Sequence, residues 1–241
     1  MCTVTYLPQS GNCFILTSNR DEDVLRQTAL PIDKYKINDV QLYYPKDLKA
    51  GGTWIATGSN GFTVCLFNGA FKPHKSTYNY RKSRGLVLLD FFNYPNQYDF
   101  IAQYDFSNIE PFSLIFVKHQ DNKVVLFELK WDREKTHCLN HDSSLPHIWS
   151  SVTLYSDQVI KQREGWFNEW VKKNEVFTKD NILMFHHFGG DGNKENDLVM
   201  NRPQKKTVSI CSINKRNEKE TEIIYEDVVN KKIYTNKILA C

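Results

Sequence analysis

The dipeptide Asn60-Gly61 constrains this chain more than any other pair of residues. It separates two apolar runs, residues 53–57 and 62–67, and Asn-Gly suits a two-residue hairpin turn because both positions accept positive φ. The same punctuation recurs elsewhere. Gly11-Asn12 stands between residues 2–7, which alternate around Val4 and Tyr6, and the apolar run 13–17; Asp121-Asn122 stands between residues 113–118 and 124–131. A hairpin pairs its strands antiparallel, so a chain rich in them builds mainly antiparallel sheets. Residues 135–139 read as a further strand, and 207–213, 221–227 and 232–238 as three closing strands.

Helical signals are fewer. Residues 86–92 are apolar on nearly every side and stop before Asn93 and Pro95, as a buried helix would. Tyr155, Val159, Gln162, Trp166 and Trp170 recur at spacings of three and four, an aromatic stripe on an amphipathic helix that reads as core. A shorter helix is expected over 180–188, ended by Gly189-Gly190, and a polar, proline-containing stretch, residues 19–49, precedes Gly51-Gly52. Strands, then helices, then strands, without βαβ alternation, predict an α+β fold with helices on the outer faces. A length of 241 residues with 41% hydrophobic content suits one domain, residues 1–241.

The 31 basic and 28 acidic residues leave a formal charge of +3, which points to no nucleic-acid or polyanionic partner. No apolar run approaches the ~20 residues that span a bilayer, and residues 1–10 lack the basic and apolar regions of a secretory signal, so no integral membrane segment and a cytoplasmic location are expected. Six cysteines, at positions 2, 13, 65, 138, 211 and 241, form no CxxC pair. Neither a zinc site nor a disulfide framework is signalled, and no cofactor or metal is expected.

Cys2 carries the most specific chemistry. Removal of Met1 leaves a thiol and a free α-amine on one residue, and an α-amine with an unperturbed pKa of about 7.7–8.0 is a general base near neutral pH. The return strand then runs into Ser18-Asn19-Arg20-Asp21-Glu22, back beside the start of the first strand. An Arg there lowers a thiol pKa by its charge, and a carboxylate holds the α-amine. A solvated polar turn is the competing reading of those residues. Asn68, between an apolar strand and Gly69, is either an oxyanion donor at a strand end or an ordinary turn residue. Adjacent His186 and His187 point in different directions on a helix and read as a cap or pocket wall, while Asn201 and Arg202 precede a strand that leads to the same region.

Met1-Cys2, Asn19-Arg20-Asp21-Glu22 and Gly51-Gly52-Thr53-Trp54, three spaced motifs in order, resemble the family named for its Asn-Arg-Asp-Glu motif, whose eukaryotic relatives are called transport and Golgi organisation protein 2. Leu66-Phe67-Asn68 continues the pattern. The opening is similar to bile-salt hydrolases and penicillin V acylases among the N-terminal-nucleophile hydrolases. The resemblance implies a four-layer αββα sandwich of mainly antiparallel sheets and hydrolysis of a non-peptide carbon–nitrogen bond. In it Cys2 attacks an amide carbonyl, Arg20 and Asp21 position and tune the thiol, and Asn68 helps form the oxyanion hole; Asn19, Trp54, Phe67, Ser151 and Arg202 are the candidate substrate-binding residues. The acylases space the pair as Arg-x-x-Asp, so both Asp21 and Asp23 are candidates, with Asp21 favoured by the family motif. Where many relatives carry Ser-Asn, this chain has Ser150-Ser151. That missing amide supports an alternative: a non-catalytic carrier of a hydrophobic ligand, lined by Trp54, Phe67 and Trp149. A haem-handling protein using His186 or His187 as axial ligand is a third reading.

Overall fold

A computed structural model describes residues 3–74, 80–120, 123–217 and 219–239. Cys2 and the Asp121-Asn122 turn lie outside the described residues. In chain order the elements are β1 (Thr3–Gln9), β2 (Cys13–Asp23), β3 (Leu30–Ile37), β4 (Val40–Lys46), β5 (Ile55–Gly58), β6 (Phe62–Asn68), α1 (Arg84–Phe91), α2 (Gln97–Gln103), β7 (Phe112–Gln120), β8 (Lys123–Trp131), β9 (Thr136–His141), β10 (His147–Ser150), α3 (Asp157–Lys173), α4 (Lys179–Phe188), β11 (Lys205–Lys215), β12 (Glu220–Asp227) and β13 (Lys232–Leu239). The chain divides into two compact units, residues 1–28 with 143–241, and residues 29–142.

The first unit holds a sheet of order β10-β1-β2-β11-β12-β13, antiparallel at every described pairing. Leu7 of β1 and Ile15 of β2 bury against Phe167 of α3, Ile182 and Phe185 of α4, and Leu198. Each such side chain contributes roughly 1.5–3 kcal/mol of transfer free energy, which fixes both helices to that face. Local chemistry sets the helix ends. Ser156 caps α3, Asp157 and the pair Lys172-Lys173 match its dipole, and Thr178 and Asn181 form a reciprocal capping box on α4.

Two readings are corrected here. Tyr155 lies before the cap of α3, not on its stripe, and is buried elsewhere. β2 continues through Ser18-Asn19-Arg20-Asp21-Glu22, because β11 pairs with it from Phe14 to Asp23 and the polar side chains find partners. The polar, proline-containing stretch also contains a hairpin that the sequence did not announce, β3–β4, turned at Asn38 with φ 49° and stapled by stacked Tyr35 and Tyr44 rings 4.1 Å apart. Its prolines and lysines suit an edge strand, which is why it carries no apolar strand signature.

The second unit is the sheet β3-β4-β5-β6-β7-β8-β9, again antiparallel throughout. Phe91 of α1 meets Phe62 of β6, Phe116 of β7 and Phe100 of α2 edge-on, the geometry aromatic pairs prefer. The Gly51-Gly52 pair has a structural cause. Gly51 has φ 70°, and a Cβ on Gly52 would lie 2.4 Å from the backbone carbon of Gly85 at the start of α1. Gly51→Ala is expected to cost about 1–2 kcal/mol of conformational strain. Gly52→Ala forces the start of α1 to move, at about 1–3 kcal/mol or more; urea denaturation of both variants should rank Gly52 as the costlier site.

Candidate active site

Side chains alternate across β2. Ile15, Thr17, Asn19 and Asp21 face α3 and α4, while Phe14, Leu16, Ser18 and Arg20 face the other way. β1 is paired on both sides, with Thr3 opposite Asn19 of β2 and opposite Ser150 of β10. Thr3 carries Cys2 on its amide nitrogen, so the residue after the proposed nucleophile is held between β2 and the end of β10.

On the helix-facing side the contacts form a closed polar network. Asn19 donates through Nδ2 to the backbone carbonyls of His186 (3.1 Å) and Leu198 (2.7 Å). Its Oδ1 lies 2.6 Å from His186 Nδ1, and His186 Nε2 lies 2.7 Å from Thr5 Oγ1. One tautomer satisfies both contacts: Nδ1–H donates to Asn19 and Nε2 accepts from the Thr5 hydroxyl. Complete burial, then the neighbouring His187 and Arg163, lower the His186 pKa to about 3, so the ring is neutral. Both its nitrogens are engaged, which leaves neither for an axial bond to haem. His187 is tied to Glu226, Nε2 to Oε2 2.6 Å, and that bond raises its pKa.

Asp21 is buried and accepts from Tyr155 Oη (2.6 Å) and Thr207 Oγ1 (2.5 Å). Thr207 in turn accepts from Met200 N at 2.8 Å. Arg20 is equally buried, with Nη2 3.5 Å from Glu22 Oε2. Opposite Arg20 and Asp21 the β11 register slips between Thr207 and Ser209, a bulge that re-aims side chains beside the pair. Asp23, the other candidate carboxylate, is exposed at the strand end and accepts from Leu25 N.

The remaining expected residues divide between the units. Ser151 follows β10, is buried and has its hydroxyl 2.8 Å from that of Thr153. Arg202 binds the Leu154 and Glu195 carbonyls, both at 2.9 Å, with its guanidinium 5.2 Å from the Tyr155 ring centre. Asn68, Trp54 and Phe67 belong to the second unit: Asn68 ends β6 beside Gly69 at φ 87°, and Trp54 and Phe67 are buried. Sequence reasoning missed Arg163, Tyr155 as an Asp21 partner, and the Thr3, Thr5 and Thr207 hydroxyls. Only Arg163 left a signal, a lone cation four residues after Val159 and four before Phe167 on the apolar stripe.

The family model described as Transport and Golgi organisation 2 matches residues 1–232. The chain belongs to that family. No curated protein matches it by sequence. Among solved structures it is similar to a Caenorhabditis elegans ortholog of N-acylethanolamine-hydrolyzing acid amidase, at TM-score 0.61 and 12% identity, over 88% of this chain and 92% of that one. It is also similar to a variant of conjugated bile acid hydrolase from Clostridium perfringens (0.58, 10%, 98% and 92%). Penicillin V acylase from Agrobacterium tumefaciens follows at 0.55 and 8%, over 97% and 85%. At these identities the likeness establishes the fold, the α+β fold of N-terminal-nucleophile hydrolases.

A neutral buried histidine makes stability depend on pH. Its folded pKa lies below the unfolded value near 6.5, so its stabilisation is full above pH ~6.5 and falls as pH drops toward 3, with a slope of up to about 1.4 kcal/mol per unit. Urea midpoints between pH 5 and 7 should show a shallower pH slope in His186→Gln than in the wild type.

Proposed function

We propose that this chain is an N-terminal-cysteine amidohydrolase that cleaves the non-peptide carbon–nitrogen bond of a small-molecule amide. The observation that carries the reading is the β1–β2 register, which sets Thr3, the residue bonded to Cys2, opposite Asn19 and next to the buried Arg20 and Asp21. The shared fold of three proteins whose names are those of an amidase, a bile acid hydrolase and an acylase supports the same chemistry. Once Met1 is removed, the α-amine of Cys2 takes the thiol proton and the thiolate adds to the amide carbonyl carbon. The oxyanion is assigned to the side-chain amide of Asn68. Collapse breaks the carbon–nitrogen bond, the amine leaves with the proton held by the α-amine, and water hydrolyses the thioester to a carboxylic acid and free thiol. Arg20 favours the thiolate by charge, Asp21 orients the amine, and Asn19, Trp54, Phe67, Ser151 and Arg202 serve substrate binding.

A carrier of the same fold is the second reading. Position 151 carries a serine hydroxyl, 2.8 Å from that of Thr153, and so no side-chain amide donor. Graded iodoacetamide labelling with mass mapping of the N-terminal peptide tests the proposal. Loss of Met1, with Cys2 alkylated well below the ordinary thiol pKa near 8.5, is expected; retained Met1, or a Cys2 no faster than Cys138, sinks it. On N-acyl amides that the wild type hydrolyses, Cys2→Ser is expected to lower amine release at least about 100-fold. A carrier would release no amine and keep its ligand affinity in that variant.

A further inference from the structure

Arg163 of α3 has no exposed surface, yet its donors meet neutral acceptors only. Nη1 donates to Thr3 Oγ1 at 2.5 Å, Nε to the Asn196 carbonyl at 3.0 Å, and Nη2 to the Asp197 carbonyl at 2.6 Å. Among the described residues no carboxylate pairs with it. Its guanidinium carbon lies 3.7 Å from the centre of the Tyr155 ring, and Tyr155 donates to Asp21. A buried cation without a counter-ion costs several kcal/mol, and a neutral side chain would brace these carbonyls more cheaply. A structural role alone does not account for the charge.

We infer that Arg163 is a positioning residue for the N-terminal nucleophile: it clamps Thr3 from beneath the sheet and supplies the buried positive charge that favours the Cys2 thiolate. This rests on the reading of Cys2 as nucleophile. The charged and titratable groups around it are Asp21 from β2, reached through Tyr155, His186 and His187 from α4, and Asp197 and Arg202 from the segment before β11. His186 is neutral, and Asp197, whose carbonyl Arg163 binds, turns its carboxylate to the Asp191 backbone N–H; across the Tyr155 ring the Arg163 and Arg202 guanidiniums face the Asp21 carboxylate. The lowered pKa of His186, to which Arg163 contributes, fits a positive potential in this cluster. Arg20 faces the opposite side of the sheet, so the nucleophile-bearing strand end receives a guanidinium from each face.

The test follows Cys2 alkylation against pH in the full-length protein by mass mapping, with exposed Cys138 as internal control and circular dichroism reporting the fold. Arg163→Gln, which keeps donors but removes charge, is expected to raise the Cys2 midpoint by about one pH unit, roughly tenfold slower labelling near neutral pH, while Arg163→Lys restores most of the difference. Cys138 should not move. Should Arg163→Gln fail to fold, Thr3→Val decides: it keeps the side-chain shape, frees the guanidinium from the strand, and is expected to raise the midpoint by a smaller amount. A folded Arg163→Gln with the wild-type midpoint overturns the inference, as does an unchanged midpoint in Thr3→Val when only that variant folds. An ordinary thiol midpoint in the wild type overturns the nucleophile reading itself, and the inference falls with it.

Discussion

The buried hydrogen bonds along the last third of β2 are the constraint on which the first unit depends. A strand that carries Asn19, Arg20 and Asp21 into a place sealed from solvent is stable only if each polar group finds a partner, since an orphaned buried group costs about 1–3 kcal/mol and a charged one more. Those partners arrive from far along the chain: His186 from α4, Tyr155 from the turn before α3, Thr207 from the bulged end of β11. The same bonds tie β2 to α4, β11 and the turn before α3, while Thr3 is held by its pairing with β2 and β10 and by Arg163. Stability and the candidate site share one set of contacts.

How much of this was legible in the sequence follows from the range of the interactions involved. Asn60-Gly61 and Gly11-Asn12 announce hairpins because turn conformation is local, and both glycines take positive φ. α1 and α4 were legible for the same reason, their apolar runs ending at local stop signals. The β3–β4 hairpin was not, since an edge pair protected by Lys34, Lys36 and Pro31 has no apolar alternation to display. The Asn-Arg-Asp-Glu run read equally well as a solvated turn, because nothing within five residues of it shows that its partners lie more than 130 positions away. Tyr155 sat in phase with the helical stripe, so periodicity enrolled it in a helix that starts two residues later.

Geometry narrows the haem reading to His187, since both His186 nitrogens are engaged. His186 spends one nitrogen on Asn19 and the other on Thr5, and His187 is bound to Glu226. Adjacent histidines looked like potential ligands in one dimension; in three they anchor α4 to β1, β2 and β12.

The chain belongs to the Transport and Golgi organisation 2 family and has the fold of N-terminal-nucleophile hydrolases; the central claim proposed on that ground is that Cys2 attacks an amide carbonyl. The most direct measurement is an acid-quench experiment: incubate the native protein with N-acyl amides, stop within one turnover, and map acyl adducts by peptide mass. The account predicts a thioester on the N-terminal peptide at Cys2, with Met1 absent, that decays to free thiol as carboxylic acid accumulates. Amine release without any adduct at Cys2, or an adduct only at another cysteine, would contradict it.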